Sequence, residues 1–381
     1  MTAAFVPPAY PYDRLEDAKR VAAAHEGGIV DLSIGTPTDP PPTAVLQALG
    51  EPSDRSGAAR GYPASIGSLD LRTAIATWTE ERFGVSVPLS AVAACVGTKE
   101  FVATTPQWLK LRRPDRDTVL YPAVSYPTYE MGATLAGLRA VPVPVDDRFR
   151  IDLAQVSAED AGRALMLWVN TPGNPAGGLD DLAAAASWGA EHRVPVFSDE
   201  CYAEFTWEGP PRTVLGHGAG ADGLDGVVAV HSLSKRSNLA GLRVGWYAGD
   251  PELVHYLQEV RKHAGFMVPG PAQRAAAVAL GDQSHVADQR ARYLARLTRV
   301  QALMADVGAP CPLPGGGFYL WVPVPEAYGD EWGFTNWLAE HGGALVSPGS
   351  FYGPAGGGYI RIAVVAPDEA LDRLAARLAG G

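Results

Sequence analysis

Cysteine and lysine are scarce in this chain, and long apolar runs are missing. Its 381 residues include three cysteines, Cys95, Cys201 and Cys311, an odd number without CxxC or metal-ligand spacing. Disulfides and structural zinc are therefore not expected, no metal is assigned, and the thiols read as reduced in a cytoplasmic protein. No stretch approaches the ~18–20 apolar residues of a membrane span, and "MTAAFVPPAYPYDRLEDAKRVAAAH" lacks a signal peptide's apolar region. Basic residues are outnumbered 31 to 42, a net charge of −11 that offers no general attraction to nucleic acid or an anionic membrane. The expected partner is a small molecule. Internal repeats and low-complexity linkers are absent, and the 43 glycines and 32 prolines punctuate turns.

What is present is a series of short apolar runs rich in Val, Leu and Ala: "AVAACVG", "DTVLYP", "RAVPVPV", "ALMLWVN", "PVFSDE", "GVVAVHSL" and "RVGWYAG". Ala-rich stretches of helical period separate most of them. Runs apolar along their whole length suit strands covered on both faces, so an α/β fold with a mainly parallel seven-stranded sheet between helices is expected. Asp250 and Pro251 would cap and open the helix of "DPELVHYLQEVRKH". Further on, "GFYLWVPV", "ALVSPG" and "YIRIAVV" read as strands of a smaller second sheet. The expected division is an N-terminal arm over 1–45 that also joins the small domain, a large domain over 46–280 and a small α/β domain over 281–381.

Polar residues gather where the runs end. "WVNTPGNPAGG" places Asn170 and Asn174 after one strand, "VFSDECY" places Asp199 and Tyr202 after the next, and "VVAVHSLSK" places Ser232 and Lys235 after a third. Each has an ordinary explanation, since Asn-Pro pairs make turns and Asp or Ser caps helices. Together they fall on one sheet edge, where open α/β sheets bind ligands outside the carboxyl ends of their strands.

In this order and spacing the chain resembles the fold-type I pyridoxal-phosphate aminotransferases of class I and II. "SLSKRSNLAGLRVG" matches the family's S-x-S-K-x-x-x-L-x-G-x-R-x-G pattern. "GYPASIGSLDLRTAIATW", "VGTKE", "YPAVSYPTYE", "NTPGNPAGG" and "SDECYAEF" follow the family order. The resemblance implies pyridoxal 5'-phosphate as cofactor and amino acids with 2-oxo acids as substrates. Lys235 would carry the cofactor and move protons as a general base. Asp199 would hold the pyridine nitrogen protonated, and Tyr202 and Asn174 would bond the ring's 3-oxygen. Tyr126 would stack on the ring, a core tyrosine being the alternative.

Gly97, Thr98 and Lys99 open a helix whose N–H groups and dipole would face the phosphate, helped by Ser232 and Arg243. The resemblance makes Tyr62 a phosphate ligand of the neighbouring subunit, hence a homodimer. Arg361 would clamp the substrate α-carboxylate, with Gly35 and Asn174 completing that site; a surface charge on an edge strand is the alternative.

The segments "RKHAGFMVPGPAQRAAAVALGDQSHV" and "SPGSFYGPAGGGYIRIAV" most resemble the actinobacterial N-succinyldiaminopimelate aminotransferases of lysine biosynthesis. Transfer between N-succinyl-LL-diaminopimelate and 2-oxoglutarate is the activity this implies. Transamination of aspartate, an aromatic or another amino acid, a C–S β-lyase and a non-catalytic ligand-sensing domain are the alternatives. The succinyl arm has Lys99, Arg20 and the residues near Phe266 and Met267 as candidates.

Overall fold

A computed structural model describes residues 5–50 and 61–380. Twelve strands appear among them: β1 (Val30–Asp31), β2 (Val92–Cys95), β3 (Thr118–Pro122), β4 (Arg139–Val143), β5 (Ala164–Asn170), β6 (Val196–Asp199), β7 (Val227–Ser232), β8 (Gly245–Gly249), β9 (Tyr319–Pro323), β10 (Ala344–Leu345), β11 (Ser347–Pro348) and β12 (Tyr359–Ala363). Seven form one sheet in the order β2-β8-β7-β6-β5-β3-β4. The seven apolar runs are its seven strands. All neighbours pair in parallel except β8, which runs antiparallel to both β7 and β2.

Both faces of the sheet are covered, which explains why its strands do not alternate. Every residue of β5 is buried. On one face pack Leu71, Ile75 and Trp78 of the helix Leu69–Phe83 and the alanines of the helix Gly270–Gly281. On the other lie Phe101, Tyr129 and Leu257, from the helices Thr98–Arg112, Thr128–Leu135 and Pro251–His263. Each such fully buried side chain contributes about 1.5–3 kcal/mol relative to exposure. Asp250 caps the helix Pro251–His263, accepting from the N–H groups of Glu252 and Leu253.

A second core gathers Tyr293, Phe318, Leu320, Ile360 and Leu371 around the antiparallel sheet β11-β12-β9. The stretch "ALVSPG" is two short strands rather than one. Ala344 and Leu345 pair in parallel with Val30 and Asp31, and Ser347 and Pro348 pair antiparallel with β12. This brings the N-terminal segment against C-terminal residues. Among the described residues no helix is long and apolar enough to cross a membrane.

Candidate active site

The register of the large sheet assembles the site. Asn170, the last residue of β5, stands opposite Asp199, the last of β6, and β7 beside them ends at Ser232. Three residues far apart in sequence thus share one sheet edge, under a cavity of about 430 Å³. Lys235, Asp199, Tyr202, Thr98, Lys99, Tyr126, Asn174, Ser232, Arg243, Gly35 and Arg361 all line it. Gly97 and Tyr62 do not. Gly97 lies just behind the wall, and Tyr62 is 98% exposed on the surface of the single chain.

At the deep end, Asp199 is 7% exposed and accepts from the Tyr129 hydroxyl (2.9 Å) and the Cys201 N–H (3.2 Å). Burial raises its pKa, and those two bonds work the other way. Both contacts favour the carboxylate form and fix its position. Lys235 follows on the single-turn helix Leu233–Arg236 and donates to the Gly35 carbonyl. Burial lowers its pKa to about 8, with the Arg361 and Arg243 charges adding to the effect. Near neutral pH the free base that condenses with a carbonyl is thus far more accessible than for an ordinary lysine, though still the minor form.

Beside them is a cradle for an anion. Gly97 is the N-cap of the helix Thr98–Arg112, with φ +76°, a conformation that favours glycine. A Cβ there would collide with the Arg243 guanidinium, so the glycine lets that cation approach the helix N-terminus. Arg243 donates to the Ala240 carbonyl (2.9 Å), and Ser232 accepts from the Ser234 N–H (3.0 Å). A helix N-terminus, two serines and an arginine suit a phosphate.

The opposite end is cationic. β12 is the middle strand of its sheet, so Arg361 is no edge-strand surface charge: it is 2% exposed. Its Nη1 donates to Asn174 Oδ1 (2.8 Å), and its Nη2 to the Tyr12 hydroxyl (3.2 Å) and the Ser33 carbonyl (2.5 Å). The guanidinium lies 4.1 Å from the Tyr319 ring centroid, and its Nε has no partner. Among the described residues no carboxylate pairs with it. Burial opposes its charge, but the surrounding hydroxyls of Tyr12, Tyr352, Tyr319 and Tyr202 leave its pKa above the ordinary arginine value.

Sequence reasoning missed Tyr129 and Tyr319 here, and for Gly35 and Asn170, which it named, it missed the contacts. Tyr129 reaches Asp199 from the helix Thr128–Leu135, and Tyr319 places its hydroxyl 2.8 Å from that of Tyr202. Gly35 must lack a side chain because a Cβ would run into the Tyr319 hydroxyl. Asn170 ties two segments together, accepting from the Asn174 N–H (2.8 Å) and donating to the Asp199 carbonyl (2.8 Å). Tyr129 stands three residues after Tyr126, and that spacing was its available signal.

A recessed lysine, a buried carboxylate, an anion cradle and a lone buried arginine are what a phosphorylated pyridine aldehyde and an amino acid require, and the donor set fits. The aminotransferase class I and II family matches residues 27–378. The chain belongs to that family. It is a pyridoxal-phosphate-dependent transaminase acting on amino acids and 2-oxo acids. It is 41% identical over 377 residues to "Probable aminotransferase Rv1178" of Mycobacterium tuberculosis, covering 97% of this chain and 85% of that one. It is 40% identical over 374 residues to the 4-dedimethylamino-4-oxo-anhydrotetracycline transaminase OxyQ of Streptomyces rimosus, covering 97% and 99%. Among solved structures, the "probable N-succinyldiaminopimelate aminotransferase" of Thermus thermophilus superposes with a TM-score of 0.85 at 32% identity, covering 96% of this chain and 98% of that one.

Proposed function

We propose that this aminotransferase moves the amino group of N-succinyl-LL-diaminopimelate to 2-oxoglutarate, within the large domain 46–280 and small domain 281–381 of a cytoplasmic homodimer. Arg361, buried without a carboxylate partner in the same cavity as Lys235 and Asp199, is the observation that carries the amino-acid part of this reading. The likeness to the Thermus thermophilus protein supports the succinylated donor. Tyr62 would reach the phosphate site of a second copy, in keeping with its exposure.

The bound cofactor supplies a reversible attachment point for the amino group and a sink for the electrons freed at the substrate Cα. The chain's residues do the rest. Lys235, whose burial eases loss of its proton, takes and returns the Cα proton at its Nζ. Asp199 would keep its charge against the ring nitrogen, and Tyr202 and Asn174 would donate to the ring's 3-oxygen. Tyr126 would pack on the ring, while Gly97, Thr98, Lys99, Ser232 and Arg243 would hold the phosphate. Arg361 grips the α-carboxylate of donor and acceptor alike, with Gly35 and Asn174 beside it, which orients the Cα proton toward Lys235. Lys99 supplies a cation at the outer wall, where it lies against Tyr10 (3.4 Å to the hydroxyl), and would meet the donor's distal carboxylate.

A second reading, amination of a polycyclic ketone, is favoured by the 40% identity to OxyQ. One donor panel with 2-oxoglutarate separates the readings when a polycyclic amine, the product of the second reaction, is included and run in reverse. The succinylated compound should exceed aspartate, alanine and free diaminopimelate in kcat/KM, because only its long arm uses remote contacts. A small donor better by about tenfold removes the lysine-pathway assignment. Conversion of the bound cofactor's absorption to the pyridoxamine form on adding glutamate tests half-transamination directly.

A further inference from the structure

Beneath the site, on the side facing away from the cavity, lies an ion pair that the chemistry above does not use. Arg236 is 2% exposed and Glu204 5%. Arg236 Nε approaches Glu204 Oε1 at 3.3 Å; its Nη1 donates to the Ala279 carbonyl (2.8 Å) and the Ser237 hydroxyl (3.0 Å), and its Nη2 to Gln283 Oε1 (2.7 Å) and the Asp282 carbonyl (3.4 Å). Every nitrogen of the guanidinium is engaged. Glu204 also takes the Trp78 indole N–H (3.0 Å) and Arg82 Nε (2.7 Å).

Stability alone is a weak reason for such a pair. Burial lowers the Arg236 pKa, so the charge is held against its desolvation, and a well-packed apolar pair of similar volume is often neutral or better. Position gives a stronger reason. Arg236 directly follows Lys235 on the single-turn helix, so the two side chains leave it about 100° apart. Glu204 lies two residues after Tyr202 and five after Asp199. The carbonyls of Ala279 and Asp282 mark where the helix Gly270–Gly281 ends, just before the helix Ser284–Asp306 begins. One planar guanidinium thus joins the backbone carrying Lys235, the turn carrying Tyr202 and the junction between two long helices. A lysine ammonium is a point charge and cannot span all three.

We propose that Arg236, through its pair with Glu204, is a positioning residue that fixes Lys235 relative to Asp199 and Tyr202. The inference rests on Lys235 as the catalytic lysine. Two variants test it: Arg236→Lys, which keeps the charge, and the double variant Glu204→Gln/Arg236→Met, which removes both members of the buried pair while the glutamine still accepts from Trp78 and the partly exposed Arg82, and so keeps the fold testable.

The measurements are melting temperature, kcat and KM of the holoenzyme, and the pH midpoint of Lys235 acylation by acetic anhydride in the cofactor-free full chain, followed by mass spectrometry. Both variants should melt near wild type and lose kcat, the double variant by about 10²-fold and Arg236→Lys by less, with KM within about threefold. The Lys235 midpoint should rise by about one pH unit as its surroundings hydrate. A folded double variant with kcat within about threefold of wild type, or an unmoved Lys235 midpoint in it, overturns the inference. Borohydride reduction of the wild-type holoenzyme tests the underlying reading separately: a pyridoxyl label on any lysine but Lys235 overturns both.

Discussion

The two ends of the cavity handle charge in opposite ways. Asp199 at the deep end accepts two hydrogen bonds from the protein, and its negative charge faces a site with Lys235 beside it. Arg361 at the other end is buried with only neutral partners and an unused Nε. Charge complementarity explains the contrast. A resident cofactor meets the deep end continuously, so the protein can hold that carboxylate in one place with dedicated donors. Substrates come and go at the other end, and a permanent carboxylate partner for Arg361 would compete with each of them. Neutral amide, hydroxyl and carbonyl groups hold the guanidinium in place without competing for its charge.

The largest effect expected from breaking this arrangement is at Lys235, which serves both ends. Lys235→Ala should lose at least about 10⁴-fold in turnover while still binding cofactor non-covalently. Retention of more than a tenth of wild-type turnover, measured under saturating substrates, would remove Lys235 from proton transfer. A pH signature accompanies it. The folded-state pKa lies near 8, below the ordinary 10.5, so between those values the unfolded chain binds a proton that the folded chain does not. Stability of the cofactor-free protein should then rise with pH from about 8 to 10.5 and be lowest below that window, where the buried ammonium is carried. Lys235→Met should flatten this slope in denaturant titrations at pH 8 and pH 10.

Next comes the deep end alone. Asp199→Ala should lower kcat by about 10³-fold, because the ring nitrogen loses its charged partner. Arg243→Ala should chiefly weaken cofactor retention, read as a higher dissociation constant in equilibrium dialysis, with turnover largely restored by excess cofactor. Equal kcat losses in both variants at saturating cofactor would erase the division between electronic and binding roles.

Breaking the cationic end should be smaller and selective. Arg361→Gln should cost about 10²–10³-fold in kcat/KM for α-amino acids, through loss of a buried charge contact. Amine donors without an α-carboxylate should change by less than about threefold. A uniform loss across both donor classes would mean that Arg361 supports the fold rather than the substrate.

Much of this architecture is legible in the sequence. The seven strands, the sheet edge carrying Asn170, Asp199 and Ser232, and the lysine after them follow from apolar runs that end in polar residues. Pairing direction is less accessible, since β8 reads like its parallel neighbours yet pairs antiparallel with both β7 and β2. Tyr12, Tyr129, Tyr319 and Arg236 escape because their roles depend on contacts across 32 to 349 positions of sequence. Local period and propensity carry no information at such distances. Each of these residues also has the pattern of an ordinary core or surface position.

The smallest effect sharpens the comparison most, because it asks how firmly the deep end is held. Tyr129→Phe removes the 2.9 Å hydroxyl contact to Asp199 Oδ2. A hydrogen bond to a charged group contributes about 1.5–3 kcal/mol, but the Cys201 N–H remains and the bound cofactor supplies another partner. The loss in kcat should therefore stay near tenfold or below, about two orders of magnitude short of Asp199→Ala. Burial already raises the Asp199 pKa, and the tyrosine bond is one of the contacts that oppose the rise. Without it the pKa should climb further, and since the carboxylate is the active form, the acid limb of the kcat–pH profile should move to higher pH. An unmoved acid limb would show that Asp199 is held by the cofactor alone. A loss approaching that of Asp199→Ala would mean that Tyr129, not the cofactor, is the principal anchor of the carboxylate.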